Sequence, residues 1–284
     1  MQINLVNVST DQAVGIMDMF RLCQTEKLSI NGFDTSAVSF LNGMFSGCEN
    51  LQELDIACMA TSNVQNMTSM FAWCLNLKSL DLSNFNTSNV FNLVSMFENC
   101  QSLSELDLSS FNTEKVTVMS NMFRDCHSLR KINLSSFRTD NVTSMHQVFE
   151  NCNSLEELDL SHFITDSVSS MDAMFSGCSS LKKLDVSNFC TNRVYSMDLM
   201  FRGCTSLEEL DLSSFRTKET ERMYGMFLNC HNLKKLDISN FKLSETKITD
   251  KMFEGCNNLK DINLPKNRVS RELIIKQLHL DGIY

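Results

Sequence analysis

Proline occurs once in this chain of 284 residues, tryptophan once, tyrosine three times and glycine nine times. With so few breakers, no Pro-, Gly- or Ser-rich linker divides the sequence, so one domain over residues 1–284 is expected. Apolar residues never run to the ~18 in a row that a transmembrane helix needs. The start, residues 1–11, has neither the basic residues nor the apolar stretch of a secretory signal. The last residues carry no sorting or lipidation motif. Positive charge is in deficit: 25 Lys and Arg face 34 Asp and Glu, for a net charge of -9. That balance excludes a nucleic-acid backbone or an anionic membrane as the main partner. Gly-x-Ser-x-Gly, His-Glu-x-x-His, the P-loop and the dinucleotide fingerprint are all missing. The five histidines (His127, His146, His162, His231, His279) share no partner at a fixed spacing. Neither catalysis nor a cofactor is expected.

What is present is a repeat. Cysteine stands at Cys23, Cys48, Cys74, Cys100, Cys126, Cys152, Cys178, Cys204, Cys230 and Cys256, a first step of 25 and then a constant step of 26. A phenylalanine lies three residues before each, from Phe20 and Phe45 to Phe253. Such periodicity defines stacked rungs. In the unit from Cys74 to Cys100, the stretch Leu77-x-x-Leu80-x-Leu82 is a leucine-rich-repeat strand signature, with Leu80 and Leu82 alternating with polar neighbours. The second half puts Val90, Leu93, Met96 and Phe97 on one stripe at i, i+3, i+6 and i+7, which predicts a short helix. Gly47, Asn99, Asp125, Asn151, Gly177, Gly203, Asn229 and Gly255, each just before a Cys, suit the left-handed residue that ends a helix; Trp73 is the exception. A threonine column (Thr35, Thr61, Thr87, Thr113, Thr139, Thr165, Thr191, Thr217) precedes the stripe as candidate helix caps.

A rung cannot fold alone. Roughly nine buried apolar side chains at about 1.5–3 kcal/mol each do not offset about 1–2 kcal/mol of backbone entropy at every residue of the rung. The expected fold is therefore an α/β leucine-rich-repeat solenoid of about ten 26-residue rungs, with a parallel concave sheet and short helical convex segments. Charge supports the stacking: Arg130-Lys131, Glu156-Glu157, Lys182-Lys183, Glu208-Glu209 and Lys234-Lys235 alternate in sign rung by rung, before a mixed Lys260-Asp261. A slip of one rung would set like against like. Residues 1–22 are assigned to an N-terminal cap, with Ile3, Leu5 and one of Val6 or Val8 in an irregular strand. Residues 23–264 are repeats. Residues 265–284 form a C-terminal cap, with Ser270 capping a helix over 271–278.

The candidate sites follow from the columns. The cysteines are read as reduced core residues, since a straight column does not converge on a metal; Cys58 and Cys190 fall outside it. Asp55, Asp81, Asp107, Asp159, Asp185, Asp211 and Asp237 form a concave column, interrupted by Asn133 and Asn263. Three readings are open for it: each Asp bridges local backbone together with the following Ser, the column faces a protein partner, or it holds Ca²⁺. Stacked carboxylates repel, so raised pKa values are expected. Trp73, Phe91, Tyr195 and Tyr224 fall where other rungs are polar and are candidate binding anchors.

The unit Leu-Asp-Leu-Ser-x-Phe-x-Thr-x-x-Val-x-x-Met-x-x-Met-Phe-x-x-Cys, carried for example by Leu106 to Thr113 with Met119, Met122, Phe123 and Cys126, resembles the BspA-like leucine-rich repeat in its mycoplasma-lipoprotein variant, over about residues 13–264. The resemblance implies a surface-exposed or secreted protein without catalytic residues that binds a protein partner, in some members for adhesion to host or matrix proteins. The chain shows no export signal or membrane anchor, and the alternative is an intracellular scaffold or adaptor.

Overall fold

The structure, a computed structural model, describes residues 2–4, 14–30, 32–244 and 248–283. It consists of two compact units, Met1–Asn141 and Val142–Tyr284. In unit 1, strands β1 (Gln2–Asn4), β2 (Lys27–Ser29) and β3 (Glu53–Asp55) make one sheet, and β4 (Glu105–Asp107) pairs with β5 (Lys131–Asn133). In unit 2, β6 (Glu209–Asp211), β7 (Lys235–Asp237) and β8 (Asp261–Asn263) make another. Every pairing is parallel and in register with the repeat: Leu28 opposes Leu54, Leu106 opposes Ile132, and Leu210 opposes Leu236. The strands are three residues long because the chain turns directly after them, as where Asp107 Oδ1 accepts the Ser109 N–H (2.9 Å). Leu28, Leu106, Leu210 and Leu236 point inward, and the polar residue before each is exposed. The chain is thus a leucine-rich-repeat solenoid of about nine turns with 26-residue rungs.

The second half of each rung corrects the helical expectation. Among the described residues of the repeats there is no helix. Met67 accepts from the Met70 N–H (3.2 Å), Ser69 from Ala72 (3.1 Å), and Phe71 from Cys74 (3.3 Å), so the segment is a run of overlapping turns. Two residues per rung, four apart, have positive φ: Ser69 (54°) and Trp73 (64°), Ser95 (55°) and Asn99 (59°), Ala173 (51°) and Gly177 (74°). A left-handed residue at the third position is what a type II turn requires, and it is incompatible with a helix interior. The residues before each Cys are therefore left-handed as read, Trp73 included, but they close turns rather than helices.

The turns gain what helical bonds would have supplied by bonding to the next rung. Met67, Ser69, Phe71 and Trp73 donate their N–H groups to Asn92, Val94, Met96 and Glu98 at 3.1, 2.9, 3.0 and 2.7 Å. The threonine column works the same way and caps no helix. Thr87 Oγ1 donates to the Asn112 carbonyl (2.9 Å) and accepts the Asn112 N–H (2.8 Å). Thr191 does the same with Arg216 (3.2 and 2.7 Å). One buried hydroxyl satisfies both backbone groups of a residue in the following rung, which explains why the position is threonine rather than valine.

Cysteine is selected by a similar contact. Cys100 Sγ donates to the Phe71 carbonyl (3.2 Å), Cys126 to Phe97 (3.1 Å), and Cys230 to Phe201 (3.0 Å). All twelve thiols are free. Burial pushes the thiols of Cys100, Cys178 and Cys256 up to about 12. Beside them the phenylalanines stack nearly parallel, Phe20 through Phe123 at centroid spacings of 5.6–5.7 Å in unit 1 and Phe149 through Phe253 at 5.7–5.9 Å in unit 2.

Unit 2 ends in helix α1 (Arg268–Leu280), longer than the expected 271–278. Its cap is Asn267, whose side chain accepts the Ser270 N–H (3.0 Å); Ser270 lies inside the helix and accepts the Leu243 N–H (3.0 Å). Asn is among the best capping residues, so Asn267 takes the place expected for Ser270. Ile274 and Leu278 are fully buried, and Asp281 accepts the Phe253 N–H (2.8 Å). At the other end the expected strand around Ile3 is β1, with Ile3 opposite Leu28. Leu5, Val6 and Val8 lie outside the described residues.

Candidate functional site: the strand face

Asp55, Asp107, Asp211 and Asp237 end strands β3, β4, β6 and β7, and Asp81, Asp159 and Asp185 hold the same repeat position in segments that form no strand. The inward leucine fixes the pleat, so the next residue points outward. Asp55, Asp81 and Asp107 lie in unit 1, and Asp159, Asp185, Asp211 and Asp237 in unit 2; all are exposed except the half-buried Asp237. Each Oδ1 accepts the N–H of the residue two positions on: Ser83, Ser109, Ser161, Ser187, Ser213 and Ser239 at 2.8–3.0 Å, and Ala57 at 3.3 Å.

This geometry overturns the expected pKa elevation. The serine N–H, and after it the serine hydroxyl, hold Asp81, Asp107, Asp159 and Asp185 below the usual carboxylate range. At Asp237 burial pulls upward, but the Ser239 hydroxyl, the Ser239 N–H and Asn263 outweigh it. Local hydrogen bonds to the charged form outweigh repulsion across a solvated gap. These five carboxylates are therefore ionised and fixed in direction at neutral pH.

In unit 2 the strand face encloses a groove of about 1220 Å³, which brings Asp185, Asp211 and Asp237 together with Lys183, Glu209 and Lys235. The alternating charges meet as read: Lys182 with Glu156 (2.5 Å), Lys234 with Glu208 (2.8 Å), and Lys235 with Glu209 (2.8 Å). In unit 1, Lys27 meets Glu53 (2.7 Å). These pairs are exposed, so they contribute more to register than to stability. Among the described residues, no group of three or more His, Cys, Asp or Glu is placed to hold a metal ion.

The aromatic candidates do not form one column. Trp73 (46% exposed) occupies the left-handed position before Cys74. Phe91 (40%), also in unit 1, and Tyr195 (55%), in unit 2, each follow the buried valine of their rung. Tyr224 is half-buried, its N–H bound to Asp198 Oδ1 (2.7 Å). Sequence reasoning missed the polar network this bond belongs to, in which Arg222 pairs with Asp198, and Asp172 accepts the Asp198 N–H (2.9 Å). The recurring Asp at Asp172 and Asp198 was its only signal. No helix of the described residues is long and apolar enough to cross a membrane.

A leucine-rich-repeat solenoid with a charged, groove-forming strand face defines the class: a repeat fold that presents an extended binding surface. The chain belongs to the family described as "Mycoplasma protein of unknown function, DUF285", whose model matches residues 14–128, 75–184 and 152–267. The repeat is of the BspA-like type. No curated protein matches the chain. Among solved structures, the fold is shared with a leucine-rich repeat protein from Bacteroides ovatus (20% identity, 93% of this chain and 69% of that one, TM-score 0.55). A leucine-rich cell surface protein from Faecalibacterium prausnitzii also matches (16% identity, 100% of this chain and 90% of that one, TM-score 0.40).

Proposed function

We propose that this protein is a non-catalytic binding module that holds a protein partner on its strand face, displayed at the cell surface or secreted. The observation that carries the reading is the groove of unit 2, where Asp185 and Asp211 are exposed carboxylates whose inner oxygens are already bonded to backbone. Their outer oxygens face solvent in a fixed direction, so a cationic partner group meets a prearranged acceptor. Surface display rests on the family type. Trp73, Phe91 and Tyr195 are the apolar anchors that a second contact would use.

A second reading is favoured by the twelve free thiols. An oxidising compartment tends to select against unpaired cysteine, so an intracellular scaffold is the alternative. Protease shaving of intact source cells separates the two. Loss of the protein while a cytosolic control survives is expected for surface display; protection until lysis leaves the scaffold. Binding itself is tested by the triple variant Asp107→Lys, Asp159→Lys, Asp211→Lys, which should abolish partner capture while the circular dichroism spectrum is unchanged. Undiminished capture would move the contact away from the strand face.

A further inference from the structure

On the strand face of unit 2 most charges are already answered within the face. Lys182 is held by Glu156 (2.5 Å), Lys234 by Glu208 (2.8 Å) and Lys235 by Glu209 (2.8 Å). Two residues beyond Lys183, Glu209 and Lys235, the outward position is acidic in three successive rungs, at Asp185, Asp211 and Asp237. Their inner oxygens accept the Ser187, Ser213 and Ser239 N–H groups at 2.9, 2.8 and 2.9 Å. The outer oxygen of Asp237 accepts from Asn263 Nδ2 (2.6 Å), whereas those of Asp185 and Asp211 have no hydrogen-bond partner among the described residues. Among those residues no Lys or Arg forms an ion pair with any of the three. All three carboxylates line one groove of about 1220 Å³.

An occupant of this groove is recognised through side chains, because β7 is already hydrogen-bonded to β6 on one side and β8 on the other. Rungs stack ~4.8 Å apart, so Asp211 and Asp237 lie ~4.8 and ~9.6 Å along the stack from Asp185. An extended chain laid across the rungs brings same-face side chains every ~6.7 Å, and its second and third cations miss by ~2 and ~4 Å. A helix rises ~1.5 Å per residue, which puts i+3 and i+7 at ~4.5 and ~10.5 Å from i, within ~1 Å of the carboxylate spacing and on one face. A helix ~10 Å across takes up ~120 Å³ per residue. The groove volume therefore matches about ten helical residues, or ~15 Å, close to the ~14 Å that its four rungs span.

We propose that this groove binds a basic α-helix of a protein partner, laid across the rungs with cationic side chains at i, i+3 and i+7 on Asp185, Asp211 and Asp237. The proposal rests on the strand face being a protein-binding surface and narrows it to one class of partner. Lys183 restricts that class further. It lines the groove two residues before Asp185 and has no ion-pair or hydrogen-bond partner among the described residues. It therefore repels a helix that is cationic all round and admits one whose basic residues form a single stripe.

The test is fluorescence anisotropy of labelled peptides titrated with the full chain at low ionic strength, where such contacts are least screened. Three alanine-rich peptides of equal length each carry three arginines. In the first they stand at i, i+3 and i+7, in the second at i, i+2 and i+4, and in the third at i, i+3 and i+7 around a central proline that breaks the helix. The first should bind about tenfold more tightly than the other two. Asp185→Asn together with Asp211→Asn should weaken its binding about tenfold. Asparagine keeps the local turn, since Asn133 fills the same repeat position and accepts the Ser135 N–H (3.2 Å). Lys183→Gln should tighten binding severalfold, a change opposite in sign to any loss of folding. Equal affinity of all three peptides would overturn the proposal, because charge alone would then account for capture. So would binding by none of them, or a double variant that binds as the wild type does. These outcomes leave the strand face as a protein-binding surface, which falls instead with undiminished partner capture by the triple lysine variant.

Discussion

Replacing Thr113 by valine is the most direct trial of the rung-to-rung contacts. Thr113 is 2% exposed. Its hydroxyl lies 2.8 Å from the Arg138 carbonyl, to which it donates, and 2.7 Å from the Arg138 N–H, from which it accepts. Valine keeps the branched shape and nearly the volume but leaves both backbone groups of Arg138 without a partner. An orphaned buried donor or acceptor costs about 1–3 kcal/mol. Two at a partly buried site, where water relieves some of the loss, give about 3 kcal/mol. Thr113→Ser keeps the hydroxyl and removes one methyl, a loss of roughly 1 kcal/mol. The expected order of stability is therefore threonine, serine, valine; if the position only filled space, valine would at least equal threonine and exceed serine. Urea denaturation followed by far-ultraviolet circular dichroism gives the order. Amide exchange at Arg138 should lose protection in the valine variant and keep it in the serine variant. A valine variant as stable as the wild type would refute the reasoning.

Alkaline pH should destabilise the fold through its thiols. Burial holds Cys100, Cys178 and Cys256 protonated up to about 12, whereas unfolded thiols ionise near ~8.5. The stabilisation is complete below the unfolded value and is lost as pH rises toward the folded one, so urea midpoints should fall steadily between pH 8 and 10.5; a flat profile contradicts the assignment. Gly177→Ala should cost more than Gly203→Ala. Both positions have positive φ, worth about 1–2 kcal/mol for a Cβ, but at Gly177 the new Cβ would displace the Asn151 side-chain oxygen and press on the Asn151 Cα at 3.3 Å, while at Gly203 nothing lies closer than 3.7 Å. Equal thermal midpoints would remove the steric part of that account. Trp73→Gly relieves a left-handed φ of 64° and should stabilise unit 1 by about 1 kcal/mol; a stabilised variant with weakened partner capture would mark Trp73 as an anchor retained at the expense of stability.

The strand half of each rung could be read directly because its signal is redundant. Leu106 and Leu108 alternate with Asp107, the same residues recur 26 positions away, and parallel stacking is the arrangement that buries every leucine at once. The turn half was misread because apolar residues at i, i+3, i+6 and i+7 fit successive turns as well as a helix. The discriminating feature was the second left-handed position, four residues before the first. There the sequence shows Asp18, Gly43, Ser69, Gln147, Ala173 and Leu199. Ladder bonds to the next rung let side chains that avoid this conformation occupy it, so residue type carries little of the signal. The Asp column is exposed, as alternation with the leucines implies, but its titration runs opposite to the expectation. Repulsion can be counted from spacing, whereas the compensating bond comes from the N–H of Ser83 or Ser109, visible only once the local turn is known. Of the aromatic candidates, exposure held for Trp73, Phe91 and Tyr195, whereas Tyr224 is partly covered.

The turn ladder also gives the molecule an electrical direction. In unit 2, Met197, Leu199, Phe201 and Gly203 donate to Arg222, Tyr224, Met226 and Leu228, and then Met223, Gly225, Phe227 and Asn229 donate to Ile248, Asp250, Met252 and Glu254. Strand dipoles in an ordinary sheet largely cancel; here four peptide groups per rung point the same way, and their dipoles add as they do along a helix. The positive pole lies at the last rung, where the Asp281 carboxylate receives the Phe253 N–H. That aspartate therefore sits where the ladder's partial positive charge is concentrated, on the N–H groups that have no further rung to receive them.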